Sequence, residues 1–443
     1  MDRIKVSDMS KSPLGNYWQD KSHTSQRSEM AADLPQRCDA VVVGGGYTGL
    51  MAAAELAKGG VSTFVLDSGA MGAGCSGRNG GQVGTTIKPS FEKLSASYGH
   101  DRAVAIKKVG IDAYAALRDL VASEALDVDW QEDGRFLAAH SDAHFDSLCK
   151  TLTNQPQGAA VPYQMVSKAE LPDYLGSPSY VGGALYPMAA SVQPTKLVTA
   201  LADRAQQAGA TLCANTPVTK LTPLGSGIRV TTDRGDILAD KVLVATNGYT
   251  SKLTPWLRRR VIPIASAIIA TEEMDPGLIR QLIPGGRAVV DTRKLVVYFR
   301  ASPDGRRILF GGRASVWDLP PAKAAPRLVD MLRFIYPQLD TIKTSHAWSG
   351  TVAYTFDELP HVGVHKGIHY AMGYCGSGVA LSTYLGKKIG LQMLGAGEGT
   401  TPLDGLTFQT RPLYTGTPWF MAAAVAAYRI TDRLSAMNRT GGS

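Results

Sequence analysis

The chain has 443 residues, 44% of them hydrophobic and 19% charged, with a formal net charge of +8. That length predicts about two to three domains. Its basic residues are dispersed, with Arg258, Arg259 and Arg260 the only tight run, so they read as a solvated face rather than a nucleic-acid or membrane-binding surface. Cys38, Cys75, Cys149, Cys213 and Cys375 are scattered and form no C-x-x-C, which argues against a disulfide framework or a zinc site and for reduced thiols in a cytoplasm.

Residues 1–36 are polar and aperiodic apart from Tyr17-Trp18, and are expected to form an arm lying on the body of the protein. They contain no apolar core of a secretory signal, and no stretch of the chain reaches the roughly 20 apolar residues that a bilayer span requires. Asp39 to Asp67 reads DAVVVGGGYTGLMAAAELAKGGVSTFVLD. An apolar strand at 40–43 is followed by Gly44, Gly46 and Gly49 in G-x-G-x-x-G register, a helix over 50–58 and a second strand over 61–66 that ends in Asp67. The first glycine allows the tight turn, the second lets a pyrophosphate approach the backbone, and the third lets the helix lie close to the strand. The helix N-terminus faces the diphosphate, and the Asp67 carboxylate would meet ribose hydroxyls. This ordered unit predicts dinucleotide binding, but on its own it does not choose between FAD and NAD.

Residues 69–84, GAMGAGCSGRNGGQVG, are too rich in glycine for core. They fit a loop whose backbone approaches a ligand closely while Arg78, Asn79 and Gln82 supply donors. From residue 91 the pattern is helical, turning strand-like over 134–139. Residues 140–190 are mixed, with a helix over 143–153. Val192-Gln193-Pro194 opens a helix over 195–207. Short strands are expected at 211–214, 218–221, 228–232, 235–240 and 241–245, the later ones forming a three-stranded meander that returns at Thr246-Asn247-Gly248-Tyr249. Residues 261–271 and 288–313 look like a different sheet, in which two strands flank the turn Ser302-Pro303-Asp304-Gly305. Tyr298 and Arg300 share one face of the first of these strands. A helix over 327–336 and a strand over 346–354 follow. Strand 368–372, the loop Gly373-Tyr374-Cys375-Gly376-Ser377-Gly378-Val379 and a helix over 383–394 form a second strand, glycine loop, helix unit far from the first.

The chain resembles the FAD-dependent amine and amino-acid oxidoreductases, the family of D-amino-acid oxidase, glycine oxidase and sarcosine oxidase, and looks most like the gamma-glutamylputrescine oxidoreductase-like branch. The match is carried by Tyr17-Trp18, Gly44 to Gly49, Ser76-Gly77-Arg78-Asn79-Gly80-Gly81-Gln82, Gly311-Gly312-Arg313, Leu359-Pro360-His361-Val362-Gly363 and Gly373 to Gly378. The resemblance implies an α/β plus α+β fold. A Rossmann-like FAD-binding domain with a β-meander would be built from 37–95, 190–250 and 345–410. An antiparallel-sheet substrate domain would come from 96–189 and 251–344, and a C-terminal helix and tail from 411–443.

By the same resemblance Gly44, Gly46, Tyr47, Thr48, Gly49, Asp67 and Ser68 hold the ADP half, and Val218 meets adenine through its backbone. Arg78, Asn79, Gly80, Gly81 and Gln82 lie along the diphosphate and flavin. Gly376, Ser377, Gly378 and Val379 place N–H groups and a helix N-terminus at the flavin pyrimidine edge. Where sarcosine oxidase carries the cysteine that binds flavin, two residues before a Tyr-Thr pair, this chain has Val352, so noncovalent FAD is expected. No metal is called for. The implied reaction oxidises a primary or secondary amine by hydride transfer to flavin N5, with imine hydrolysis after it and dioxygen or another acceptor taking the electrons. Tyr298 and Arg300 are expected at the substrate, where a hydroxyl and a guanidinium would clamp a carboxylate. Trp348 and Tyr354 are pocket wall or core, and His361 is a structural hydrogen-bonder. The rivals are an NAD-linked dehydrogenase, against which the second glycine unit argues, and a flavoprotein subunit that passes electrons to a partner.

Overall fold

The computed structural model describes residues 14–22, 33–313 and 319–437, and the rest of the expected N-terminal arm and C-terminal tail lies outside them. Valine-rich segments buried on both faces form the centre of the first sheet, as parallel strands require. Its order is His361–His365, Ile368–Met372, Gly235–Val244, Arg37–Val43, Thr63–Leu66 and Thr211–Cys213. Every neighbouring pair is parallel except the first, which is an antiparallel edge. Val218–Leu224, Gly227–Thr232 and Gly235–Val244 form the meander.

The two strands expected at 235–240 and 241–245 are one strand of ten residues. The charged pair Asp240-Lys241 looks like a turn in sequence. In the sheet its two side chains point to opposite faces, and each finds a partner: Asp240 meets Arg37 at 2.6 Å and Lys241 donates to the Met393 carbonyl.

The second sheet runs Thr344–Tyr354, Ile262–Thr271, Ile308–Gly312, Val297–Ala301, Ala288–Asp291, Arg135–Ala139, Gly182–Tyr186 and Gln164–Val166. It is antiparallel except where Ala288–Asp291 pairs with Arg135–Ala139. Alternation sorts its faces. Phe136, Val289, Phe299 and Phe310 pack beneath the helix Pro321–Ile335 through Ala324, Leu328 and Leu332. The opposite face carries Ile268, Ala270, Leu309 and Trp348, with Tyr298 beside them, and meets Tyr17 and Trp18 from the helix Tyr17–Lys21.

The helix Pro321–Ile335 begins before the expected residue 327 because Pro326, which reads as a breaker, is tolerated inside it. Gln82–Gly84 pairs with Ala189–Ser191, which ties the end of the first glycine-rich loop to the middle of the chain. No helix among the described residues is long and apolar enough to cross a membrane.

Candidate cofactor and active site

Strand Arg37–Val43 runs into the first glycine turn, and helix Tyr47–Lys58 leaves it. Gly44 has φ +111°, a conformation that side chains disfavour. At Gly49 a Cβ would stand 1.9 Å from the Gly44 carbonyl oxygen, so only hydrogen fits where the helix lies on its own turn. The helix begins with N–H groups that have no intrahelical acceptor. The Tyr47 N–H donates to Ser76 Oγ at 3.1 Å, which draws the following loop over the helix end.

Asp67 closes the unit. Its carboxylate accepts from the N–H of Gly45 at 2.7 Å and of Gly69 at 2.9 Å, and burial raises its pKa to about 6 against these hydrogen bonds. Each oxygen retains a further lone pair for a ribose hydroxyl. Ser68 is exposed beside it. The Thr216 N–H donates to the Asp67 carbonyl at 2.7 Å, which brings Val218, two residues on, to the same end of the sheet.

The second glycine unit meets the first directly. Thr48 Oγ1 and the Tyr374 hydroxyl are 2.6 Å apart across 326 residues of sequence. Helix Gly378–Leu394 crosses helix Tyr47–Lys58 so closely that a Cβ on Gly386 would lie 2.5 Å from the Thr48 carbonyl oxygen. Between strand Ile368–Met372 and that helix, Cys375 has φ +51°. Such strain in a non-glycine residue persists only when its surroundings enforce it. Here the Cys375 N–H donates to Ala353 O at 3.0 Å, and the Gly373 N–H to Asn247 Oδ1 at 2.9 Å. Gly376, Ser377, Gly378 and Val379 thus form the loop end and first turn of a 17-residue helix.

Residues 76–82 lie between the two sheets. Asn79 spends its side chain on its own loop, donating to Ser76 O at 2.8 Å and accepting the Gly81 N–H at 2.8 Å. Arg78 is buried and donates Nε–H to Ala73 O at 2.7 Å. Gln82 points toward the second sheet, its Nε2 3.4 Å from Val289 O. Tyr298 lies against this loop: its ring is 2.9 Å from the point a Gly80 Cβ would occupy, and its hydroxyl pairs with Ser266 Oγ at 2.9 Å.

Arg300 is a correction. It is 1% exposed and donates to Ala301 O at 3.1 Å, Val192 O at 3.0 Å, Gly81 O at 3.4 Å and Gln131 Oε1 at 3.1 Å. With four of its five donors committed inside the protein, it ties Gly81 to the second sheet and has no fork left to clamp a carboxylate. Trp348 is fully buried core. His361 bonds Asp357 at 3.0 Å and stacks on Phe408, a structural role as expected.

Sequence reasoning missed Lys88, whose Nζ donates to the Tyr354 hydroxyl at 3.0 Å, and that hydroxyl lies 3.4 Å from the point a Gly376 Cβ would occupy. It also missed Tyr249, whose hydroxyl accepts the Thr351 N–H at 3.1 Å. Neither residue belongs to a motif, and each acquires its partner only through tertiary contact.

The arrangement fits FAD: a glycine cradle and helix end that suit a diphosphate, a half-buried carboxylate that suits a ribose, and a long second loop with its own helix end. The family model described as "FAD dependent oxidoreductase" (DAO) matches residues 39–390. The chain is 32% identical over 408 residues to a probable oxidoreductase OrdL of Rhizobium meliloti (strain 1021), covering 90% of this chain and 93% of that protein. It is 29% identical over 400 residues to gamma-glutamylputrescine oxidoreductase of Escherichia coli (strain K12), covering 90% and 93%. In fold it resembles glycine oxidase from Geobacillus kaustophilus, with a TM-score of 0.72 and 22% identity over 85% of this chain and 99% of that one.

Proposed function

The chain belongs to the DAO family of FAD-dependent oxidoreductases, and from that premise we propose that it oxidises a primary or secondary amine, of amino-acid, polyamine or gamma-glutamyl-amine type, to an imine that water then hydrolyses. The observation that carries the reading is the meeting of the two glycine units at Thr48 and Tyr374, which in this reading sets the first turn and the second loop against one elongated ligand. The amine is supported by the kinship with gamma-glutamylputrescine oxidoreductase, with which this chain shares nearly its whole length. FAD, when bound, supplies the two-electron acceptor, and the protein binds, orients and excludes water.

In this reading Gly44, Gly46, Tyr47, Thr48 and Gly49 receive the diphosphate, and Asp67 with Ser68 the ribose. Val218 reaches adenine, and residues 78–82 with 376–379 hold the flavin. Segments 37–95, 190–250 and 345–410 then serve the cofactor, and 96–189 with 251–344 the substrate. Tyr298 and Tyr354 wall the substrate space from the two sides, their hydroxyls fixed by Ser266 and Lys88. A neutral amine needs no strong base, so tyrosine hydroxyls that orient nitrogen are sufficient. A cytoplasmic location belongs to the same proposal.

The test is anaerobic bleaching of the purified yellow protein by a panel of polyamines, gamma-glutamylated amines and N-methyl amino acids. Loss of the flavin absorbance with at least one member is expected, and re-admitted dioxygen either restores the colour or identifies another acceptor. A panel that bleaches nothing removes the amine from the proposal.

A further inference from the structure

Three consecutive carbonyl groups of the loop 76–82 are held from outside it. Asn16 Nδ2 donates to Gly77 O at 3.1 Å, Trp348 Nε1 to Arg78 O at 2.8 Å, and Trp18 Nε1 to Asn79 O at 2.8 Å. Two of the three donors come from the short helix Tyr17–Lys21 and its N-cap, roughly 60 residues before the loop. That helix is itself anchored. Trp18 is fully buried, its carbonyl accepts Gln193 Nε2 at 3.0 Å, and its ring packs edge-on against Trp348 at 6.3 Å.

In a trans peptide the C=O and the next N–H point in opposite directions. Pinning the carbonyls of Arg78 and Asn79 toward the two indoles therefore turns the N–H groups of Asn79 and Gly80 the other way. Among the described residues neither of those N–H groups meets a protein acceptor.

We propose that the N-terminal helix is a brace for the flavin-side loop, with Trp18 as the positioning residue that, through the Asn79 carbonyl, aims the Gly80 N–H at the flavin beside the Asn79 N–H set by Trp348, and with Asn16 anchoring the head of the loop at Gly77. This rests on the reading of residues 78–82 as flavin-holding. N–H groups fixed before the reaction stabilise the negative charge that a flavin gains on reduction without reorganising at that moment. A loop built from glycine has no stiffness of its own. Its aim has to be supplied from outside, by side chains rigid enough to hold it, and two indoles and a capping amide provide that. Arg300, 5.8 Å above the Trp18 ring, ties Gly81 at the other end of the same loop.

The test uses full-length holoenzyme. Trp18→Phe keeps an aromatic ring and deletes the N–H. Asn16→Ser keeps a side-chain oxygen to cap the Trp18 N–H, as the Asn16 Oδ1 does at 3.1 Å, and deletes the donor to Gly77. Each variant is expected to lower the flavin reduction potential, shift the visible absorption bands and weaken FAD binding about fivefold, the effect of losing one hydrogen bond. Leu309→Ala, in the same apolar cluster with no hydrogen bond to the loop, is expected to lower the melting temperature and leave spectrum and potential alone.

Wild-type spectrum, potential and FAD affinity in both Trp18→Phe and Asn16→Ser overturn the brace, as does an equal shift in Leu309→Ala. Gly80→Ala separates the two readings. If it moves the spectrum while the brace variants do not, the loop holds flavin unaided; if it moves nothing, the assignment of the loop itself fails.

Discussion

Asp67 carries a pH dependence that can be worked out from its surroundings. Its pKa in the folded protein, about 6, lies above the unfolded value of about 3.9. The native state therefore holds this proton more tightly, and on this account stability without cofactor falls as pH rises from 4 to 6. With Asp67 at the ribose, as proposed, FAD binding would run the opposite way, because the ionised carboxylate can accept two hydroxyls while the protonated acid gives up one oxygen as a donor. We expect the FAD dissociation constant, followed by flavin fluorescence, to rise as pH falls below about 6, and Asp67→Asn to flatten that dependence.

The cysteines make a second case at the same scale. Cys75 and Cys375 stand in the two loops proposed to hold the flavin, and burial raises each thiol pKa to about 11. At neutral pH neither is the thiolate that attacks a flavin ring. Precipitating the protein with acid should leave all of the yellow colour in the supernatant as intact FAD; colour in the pellet would refute this. The glycines and Asp67 were legible in sequence because each answers a local requirement at a fixed spacing. Arg300 was misread because strand alternation gives a side chain's face and not its partners, which here come from residues 81, 131 and 192.

Among the elements, the crossing of helices Tyr47–Lys58 and Gly378–Leu394 is a tightly constrained contact. Gly386 faces Thr48, and Gly390 faces Ala52, where a Cβ would lie 2.9 Å from the Ala52 carbonyl oxygen. Backbone atoms cannot yield as a flexible side chain does. Gly386→Ala should cost about 1–3 kcal/mol by overpacking, read as a lower denaturant midpoint at unchanged slope, together with weaker FAD binding. Sequence reading found both helices and both loops. It started the second helix five residues late because the glycines at its head, read as loop, are also its first turn. It missed the strand Gly182–Tyr186 altogether. That strand carries two glycines and draws its order from neighbours at 135–139 and 164–166, which no local pattern announces.

At the scale of the whole molecule, the two sheets are distinct in sequence character. The parallel one is continuous in valine, and the antiparallel one alternates around its hairpin, so the class of fold was legible. Strand order was not, because it is set by pairings such as Ala288–Asp291 with Arg135–Ala139 that join distant segments. Loop 76–82 bonds to the second sheet through Val289 and Phe299 and, through Tyr47, to the helix that packs on the first. FAD should therefore stabilise both together. At a hundredfold excess over its dissociation constant we expect about 2.7 kcal/mol of added stability, seen in calorimetry as one transition moving upward; movement of only one of two transitions would show the sheets to be uncoupled.

The contact between Thr48 and Tyr374 also bears on how the molecule is made. A chain emerging from the ribosome exposes its first glycine turn early, but the helix that packs across that turn arrives only when residue 394 has cleared the exit tunnel. Until then the Rossmann-like half is a nucleotide fold lacking one wall, and on the reading proposed above flavin loading waits for that helix.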